Sequence, residues 1–345
     1  MLRHPVHAWL IALMLVIGAG APPAAAETHP AHDTLGQLTD GAPAAERLLR
    51  QVGWEAAAFV VTVRRIEPRV DADAVVSFAS PLPSGNHRQD TVPLLWYTAR
   101  DAAGQPVDAA APAVLVIHTV HPQLLVGKTI ARALAREGMH AFVLQLPGFG
   151  DRATPGSPGP VVLLDHARQA VADVRRARDA IAALPGVADG PVALQATSLG
   201  GFVATVAASL DDAFNPVLLA LTGGNGFDVL QHGQRDAAHV RLLLNRHGYH
   251  DARLRDHLAV IEPLHVAHRL APARTWLFTG QRDQVIAPAH ADALAEAAGL
   301  DAAHHIRFDA DHYTAVFHLP TIIRQMAEIV RTTHGNVEKA GAEGR

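Results

Sequence analysis

The sequence predicts an α/β fold: a mostly parallel, doubly wound sheet with antiparallel N-terminal strands and a small helical cap insertion. Three observations carry this. From residue 113 on, apolar runs of five to seven residues alternate with longer helical stretches, the pattern of parallel βαβ units buried on both faces. Before that point, short β-rich runs are separated by Pro and Gly turn signals such as Pro81-Leu82-Pro83-Ser84-Gly85, as in antiparallel pairs. Composition is the third: 345 residues, 49% hydrophobic and 18% charged, can bury a sizeable core and exclude a disordered or fibrous chain.

Residues 1–26 run from Arg3 through an apolar stretch at 9–17 to Ala24-Ala25-Ala26, the layout of a cleaved signal peptide. The apolar run falls short of the ~20 residues a spanning helix needs. Export to the periplasm or the extracellular space is therefore expected, with no membrane span after cleavage. Residues 27–43, rich in Ala, Pro, Thr, His and Gly, read as a flexible leader. The folded domain is expected over 44–335, opening with helical spacing at 44–52. The runs 59–66, 74–79 and 92–98 read as antiparallel strands, and 113–117, 140–146, 191–196 and 216–221 as buried ones. Helices are expected at 125–136, 162–184 and 199–210, and two further strands, 275–279 and 305–308, flank a helix at 288–298. The polar, His- and Arg-rich stretch at about 224–270 is too long for an ordinary connection and reads as the helical cap. Residues 336–345 read as a disordered tail.

Charge and cysteine content narrow the function. With 29 Lys and Arg against 33 Asp and Glu, the formal charge is -4, without the basic surplus that binding phosphate backbones needs, so nucleic acid is not an expected partner. The absence of cysteine excludes disulfides, thiolate metal sites and a cysteine nucleophile. Any nucleophile carries oxygen or nitrogen.

Gln195-Ala196-Thr197-Ser198-Leu199-Gly200-Gly201 follows a buried strand and opens an apolar helix, the setting of a nucleophile elbow. Such a turn lifts the serine hydroxyl above the sheet and needs small residues two before and two after it; here these are Ala196 and Gly200. The helix start also aims N–H groups at the site, so the Leu199 amide is the first candidate for an oxyanion hole. Beyond the strand at 275–279 comes Gly280-Gln281-Arg282-Asp283, and beyond the next comes Asp311-His312. Singly, each residue has an ordinary duty: Ser198 as a helix cap, Asp283 in a turn, His312 on a solvated loop. Their order Ser, Asp, His, each just past the C-terminal end of a strand, favours a triad in which His312 takes the Ser198 proton and Asp283 orients the imidazole.

With these motifs, residues 74–330 resemble the α/β-hydrolase superfamily, and within it exported bacterial serine hydrolases related to carboxylesterases and dienelactone hydrolases. The resemblance rests on Ile117-His118-Thr119-Val120, Leu146-Pro147-Gly148-Phe149-Gly150-Asp151-Arg152, the Ser198 elbow, Gly280-Gln281-Arg282-Asp283 and Asp311-His312. It implies the α/β-hydrolase fold, with a sheet of eight strands, and hydrolysis of a small-molecule carboxylic ester without cofactor or metal. It also points to the Val120 amide as second oxyanion donor, with Thr119 its neighbour at the substrate pocket, and to Phe149 as a lining of the acyl pocket. The sequence departs from the usual pattern in having Ala196 for the elbow's first glycine and no glycine after His118.

Other readings are weaker. Some members of the fold carry the acid after an earlier strand, where this chain has Asp228. The pairs His118/His121, His247/His250 and His265/His268 share an i, i+3 spacing but lack the Glu of a His-Glu-x-x-His zinc motif. Gly148-Phe149-Gly150 lacks the third glycine of a dinucleotide loop. A peptidase or amidase would share the triad, and a non-catalytic binding protein would share the fold. The oligomeric state is not legible.

Overall fold

Alternating apolar runs become strands wherever both faces can be covered, and the computed structural model shows ten of them in one sheet. It describes residues 26–66 and 71–343; the signal segment expected at 1–26 lies, but for Ala26, outside the described residues. The chain opens with β1 (Glu27–His32), α1 (Pro43–Val52), β2 (Ala58–Arg65) and β3 (Ala74–Ala79). A short α2 (His87–Asp90) leads into β4 (Thr91–Tyr97). The βαβ region follows as β5 (Ala111–Ile117), α3 (Leu125–Arg136), β6 (His140–Leu144), α4 (Gly159–Asp165), α5 (Ala167–Ala182) and β7 (Val187–Thr197). After α6 (Leu199–Ala208) and β8 (Phe214–Ala220), the insertion expected at 224–270 forms α7 (Gly226–His232), α8 (Asp236–Arg246), α9 (Asp251–Leu258) and short 3-10 turns. The chain closes with β9 (Thr275–Gly280), α10 (Pro288–Ala297), β10 (His305–Phe308) and α11 (Leu319–Glu343).

The strand order is β1-β2-β3-β4-β6-β5-β7-β8-β9-β10. Pairs from β1 to β6 are antiparallel, and those from β6 through β5 to β10 are parallel. α3 and α11 pack on one face, α5 and α6 on the other. From β5 the chain turns first to β6 on one side and then to β7 on the other. The C-terminal ends of β5 and β7 therefore mark the point where the winding reverses and a crevice opens.

Four expectations need correction. Among the described residues the sheet has ten strands rather than eight, because β1 and β2 extend its antiparallel edge. Residues 27–43 are no flexible leader: β1 pairs with β2 from Glu27↔Val63 to His32↔Ala58, and the following Asp33 is buried against Arg176. Residues 336–343 are no disordered tail, since α11 continues through them; extending a formed helix with Glu, Lys and Ala meets no nucleation cost. The single helix expected at 162–184 is two, α4 and α5, broken at His166 with φ -116° and ψ 25°.

Candidate active site

The turn between β7 and α6 holds one residue, Ser198, at φ 54° and ψ -121°. A side chain at positive φ is strained and persists only where its surroundings hold it. Here Ser198 N–H donates to the Ala220 carbonyl on β8 (3.0 Å), and Gly201 N–H donates to the Ser198 carbonyl (2.9 Å). Gly200 sits so close to the end of β5 that a Cβ there would run into the carbonyls of His118 and Ile117. The small residue two after Ser198 is thus required by the approach of β5.

β9 and β10 bring the other two residues to the same rim. Asp283 lies in the turn after β9, where its Oδ1 accepts from the amides of Val285 (2.8 Å) and Ile286 (3.0 Å). That leaves Oδ2 for the His312 ring: Nδ1–H donates to it at 2.6 Å. An ionised carboxylate only accepts, so the Nδ1 proton is fixed and Nε2 presents its lone pair to Ser198 Oγ, 3.1 Å away. Both Asp283 and His312 are nearly removed from solvent. Gly280 lets the two loops meet, because a Cβ there would lie 2.6 Å from the Ala310 carbonyl. Asp311 shapes the turn that carries His312: its Oδ1 accepts from the amides of Tyr313 and Thr314, which hold its carboxyl below the usual range.

The expected oxyanion residues flank the serine from two sides. Leu199 begins α6 and lines a small cavity at Ser198; Val120 lines that cavity and a larger one that also touches Thr119. The loop carrying Thr119 and Val120 is held by His118, a residue whose role the sequence did not disclose. Fully buried, His118 donates from Nδ1 to the Thr119 carbonyl (2.5 Å) and accepts from Leu146 N–H at Nε2 (3.2 Å). Burial pushes its pKa down to about 4, so the ring is neutral at physiological pH. Phe149 is not in a pocket. It is buried, packs edge-on against the His118 ring with centroids 5.0 Å apart, and touches neither cavity; the expectation that it lines the acyl site is corrected.

Two cavities meet at Ser198. One, of about 80 Å³, runs under α8 and α9 and is lined by Leu163, Phe202, Val229, Val240, Leu258 and Ile286, among others. The second, of about 330 Å³, runs between α3 and α11, and His312 belongs to its wall alone. Asp236 at the start of α8 borders both cavities, and Tyr313 the larger one; burial, and after it the Asp236 carboxylate, raises the Tyr313 pKa. Neither Asp236 nor Tyr313 was singled out from sequence; the position of Tyr313 directly after His312 was the available signal.

The remaining candidates fall elsewhere. The Asp228 carboxylate pairs with His232 (2.9 Å) and His290 (3.4 Å), leaving His312 to Asp283. Asp309 pairs with Arg282 at 2.9 Å. Among the described residues no cluster of His, Asp or Glu has the makings of a metal site, and no helix is long and apolar enough to cross a membrane.

Comparison with known proteins adds the architecture. No protein-family model and no curated protein sequence matches this chain. Among solved structures, the acetyl xylan esterase from Paenibacillus sp. R4 is similar over 82% of this chain and 90% of its own, with TM-score 0.56 and 20% identity. Acetyl xylan esterase 1 from Thermoanaerobacterium sp. JW/SL YS485 is similar over 80% and 91%, with TM-score 0.52 and 13% identity. A puromycin-hydrolyzing peptidase from Mycobacterium tuberculosis is similar over 81% of this chain but 44% of its own, with TM-score 0.54 and 16% identity. Identity at this level speaks for architecture alone, and together with the sheet order and the turn at Ser198 it establishes that the chain has the α/β-hydrolase fold.

Proposed function

We propose that this protein is a serine hydrolase that cleaves carboxylic esters through an acyl-enzyme on Ser198. One observation carries the reading: a hydroxyl on a strained strand-to-helix turn lies 3.1 Å from an imidazole whose other nitrogen is held at 2.6 Å by a buried carboxylate. Ser198 Oγ bonds to the ester carbonyl carbon while His312 Nε2 takes its proton, and the Leu199 and Val120 amides receive the developing oxyanion. The carbon–alkoxy bond then breaks, and His312 returns the proton to the leaving oxygen. Water repeats the sequence and frees the acid. No step requires a cofactor or metal. The two acetyl xylan esterases among the similar structures favour esters, while the puromycin-hydrolyzing peptidase keeps an amidase or peptidase as the second reading.

Ser198→Ala is expected to lower turnover of a p-nitrophenyl ester by about 10⁴–10⁶-fold with an unchanged fold, because triad members act as a unit. A fluorophosphonate should label Ser198 in the native protein. Retained turnover in the variant would overturn the assignment, and absence of labelling would favour a non-catalytic binding protein. An amide panel run beside the esters separates the two hydrolytic readings. The reading also places the enzyme in the periplasm or outside the cell, on the signal-like residues 1–26, and N-terminal sequencing of exported protein tests this.

A further inference from the structure

Three residues border both cavities: Ser198, Val120 and Asp236. The first two are the proposed nucleophile and a proposed oxyanion donor, so the third stands at the junction where the scissile ester would lie. Among the described residues, Asp236 is also the single Asp, Glu, Lys or Arg on the wall of either cavity. The surfaces on both sides of it are mainly apolar, with Leu163 and Phe202 in the smaller cavity and Ile130 and Ile322 in the larger.

The charge of this partly buried carboxylate is not matched within the protein. Asp236 is the first residue of α8, where an acid suits the helix dipole, but a helix end offers only about half a positive charge against one full negative charge. It makes no salt bridge among the described residues. The adjacent cation, Arg235, lays its guanidinium over the Tyr313 ring, 5.0 Å from the centroid, and lines neither cavity. The group that does feel the carboxylate is the Tyr313 hydroxyl, whose pKa it raises after burial, and Tyr313 borders the larger cavity. A carboxylate beside apolar walls and without a cation bears the cost of its lost hydration, and a ligand that brings an ammonium recovers part of it.

Resting on the esterase reading, we propose that Asp236 is a specificity-determining residue that selects esters carrying a cationic amine close to the scissile carbonyl. Its carboxylate pairs with the ammonium while the cavities take the apolar remainder on either side. The amine sits on one of two halves: on the acyl α-carbon, as in an amino acid ester, or on the alcohol near the ester oxygen, as in a choline-type ester. Either puts the charge at the junction that Asp236 shares with Ser198. A substrate without the amine leaves the carboxylate as unmatched as before, and one with a second carboxylate there is repelled.

The test uses two pairs, each a cationic ester and its neutral isostere: butyrylcholine with 3,3-dimethylbutyl butyrate, and leucine ethyl ester with ethyl 4-methylpentanoate. The ratio of kcat/KM within each pair is measured for the wild type and for Asp236→Asn at about pH 6.5, where both amines are charged. Comparing the two proteins cancels the intrinsic reactivity of each ester. For at least one pair the ratio is expected to fall by about tenfold or more in the variant. A fall for butyrylcholine places the amine on the alcohol, and a fall for leucine ethyl ester places it on the acyl half. Unchanged ratios in both pairs, even with lower rates throughout, would overturn the proposal, since a residue that serves only the start of α8 gives that result. Calorimetry of the same four esters on the Ser198→Ala protein needs no turnover. Tighter binding of a cationic member, weakened by added salt, supports the role of Asp236 even if the wild type hydrolyses none of the esters, an outcome that would sink the esterase reading alone. Equal binding within both pairs would remove the amine site. If Asp236→Asn does not fold, the calorimetric comparison still decides.

Discussion

Two buried aspartates sit in different regions, one beside a guanidinium and one beside an imidazole. Asp33, just after the edge strand β1, is gripped by Arg176 Nε (2.8 Å), Trp54 Nε1 (3.0 Å) and the Ala57 amide (3.1 Å). Asp283, on the rim that carries Ser198, is gripped by two amides and the ring of His312. Both carboxylates are nearly inaccessible and fully hydrogen-bonded. The difference lies in the partner. A guanidinium keeps its proton at any working pH, so Asp33–Arg176 can only fasten one element to another, here the N-terminal segment to α5. An imidazole can release and regain its proton, so in the proposed mechanism the same carboxylate beside His312 orients a base.

Exchanging each residue for a neutral one should separate the two duties. Asp283→Asn is the largest effect expected: turnover falls about 10⁴-fold while thermal stability is nearly kept. The asparagine oxygen still accepts from Val285 and Ile286, but its NH₂ now faces Nδ1 and drives the ring proton to Nε2, where it blocks acceptance from Ser198. A loss under tenfold would mean that Asp283 does not fix the tautomer. Arg176→Met should do the reverse. Unfolding free energy drops by about 3–5 kcal/mol, because Asp33 loses its buried counter-charge, and kcat of the folded fraction stays within twofold. Urea titration beside a turnover assay reads both; an unchanged midpoint would show the pair to be dispensable.

His118 sharpens the contrast, as a buried histidine with no carboxylate at all. The unfolded chain takes up a proton near pH 6.5 that folded His118 refuses until about pH 4. Its contribution to stability is therefore complete above pH 6.5 and lost between pH 6.5 and 4, by about 3 kcal/mol at 1.36 kcal/mol per pH unit. Asp33 acts in a lower window. Burial raises its pKa, but the bonds from Arg176, Trp54 and Ala57 outweigh burial and bring it below 3.8. What it contributes is present above that value and lost below it. Unfolding midpoints of wild type, His118→Asn and Arg176→Met from pH 8 to 3 should show the two losses in separate windows. A wild-type curve parallel to that of His118→Asn between pH 6.5 and 4 would remove His118 as the source.

The same contrast explains what could be read from the chain. The convergence of Ser198, Asp283 and His312 was legible because each lies within four residues of the end of a strand, and parallel strands gather their C-terminal ends at one rim. The order along the chain then carries the geometry. β1 was not legible, because Glu27-Thr28-His29-Pro30-Ala31-His32 has no apolar alternation. Its place is set by pairing with β2, and the residues that follow it are held by Asp33–Arg176 and by Thr34 donating to Asp179, 145 positions away. Such long-range polar contacts leave no local periodicity. Phe149 failed for a related reason. Its sequence neighbourhood fixes the loop but not the direction of the ring, which turns inward against His118.

The smallest effect expected is the one that tests whether the Asp283 grip is the only one that serves His312. Asp228 also follows a parallel strand, β8, and by chain position alone it competes for the same duty. Its side chain is partly exposed and shared between His232 and His290. Losing a solvent-screened pair of this kind costs about 0–1 kcal/mol. Asp228→Asn should therefore leave kcat/KM within twofold and the melting temperature within a degree or two. A loss approaching that of Asp283→Asn would mean that the carboxylate serving His312 during turnover is not the one that holds it at rest, and the distinction between a fastening and an orienting aspartate would have to be redrawn around the loop after β8.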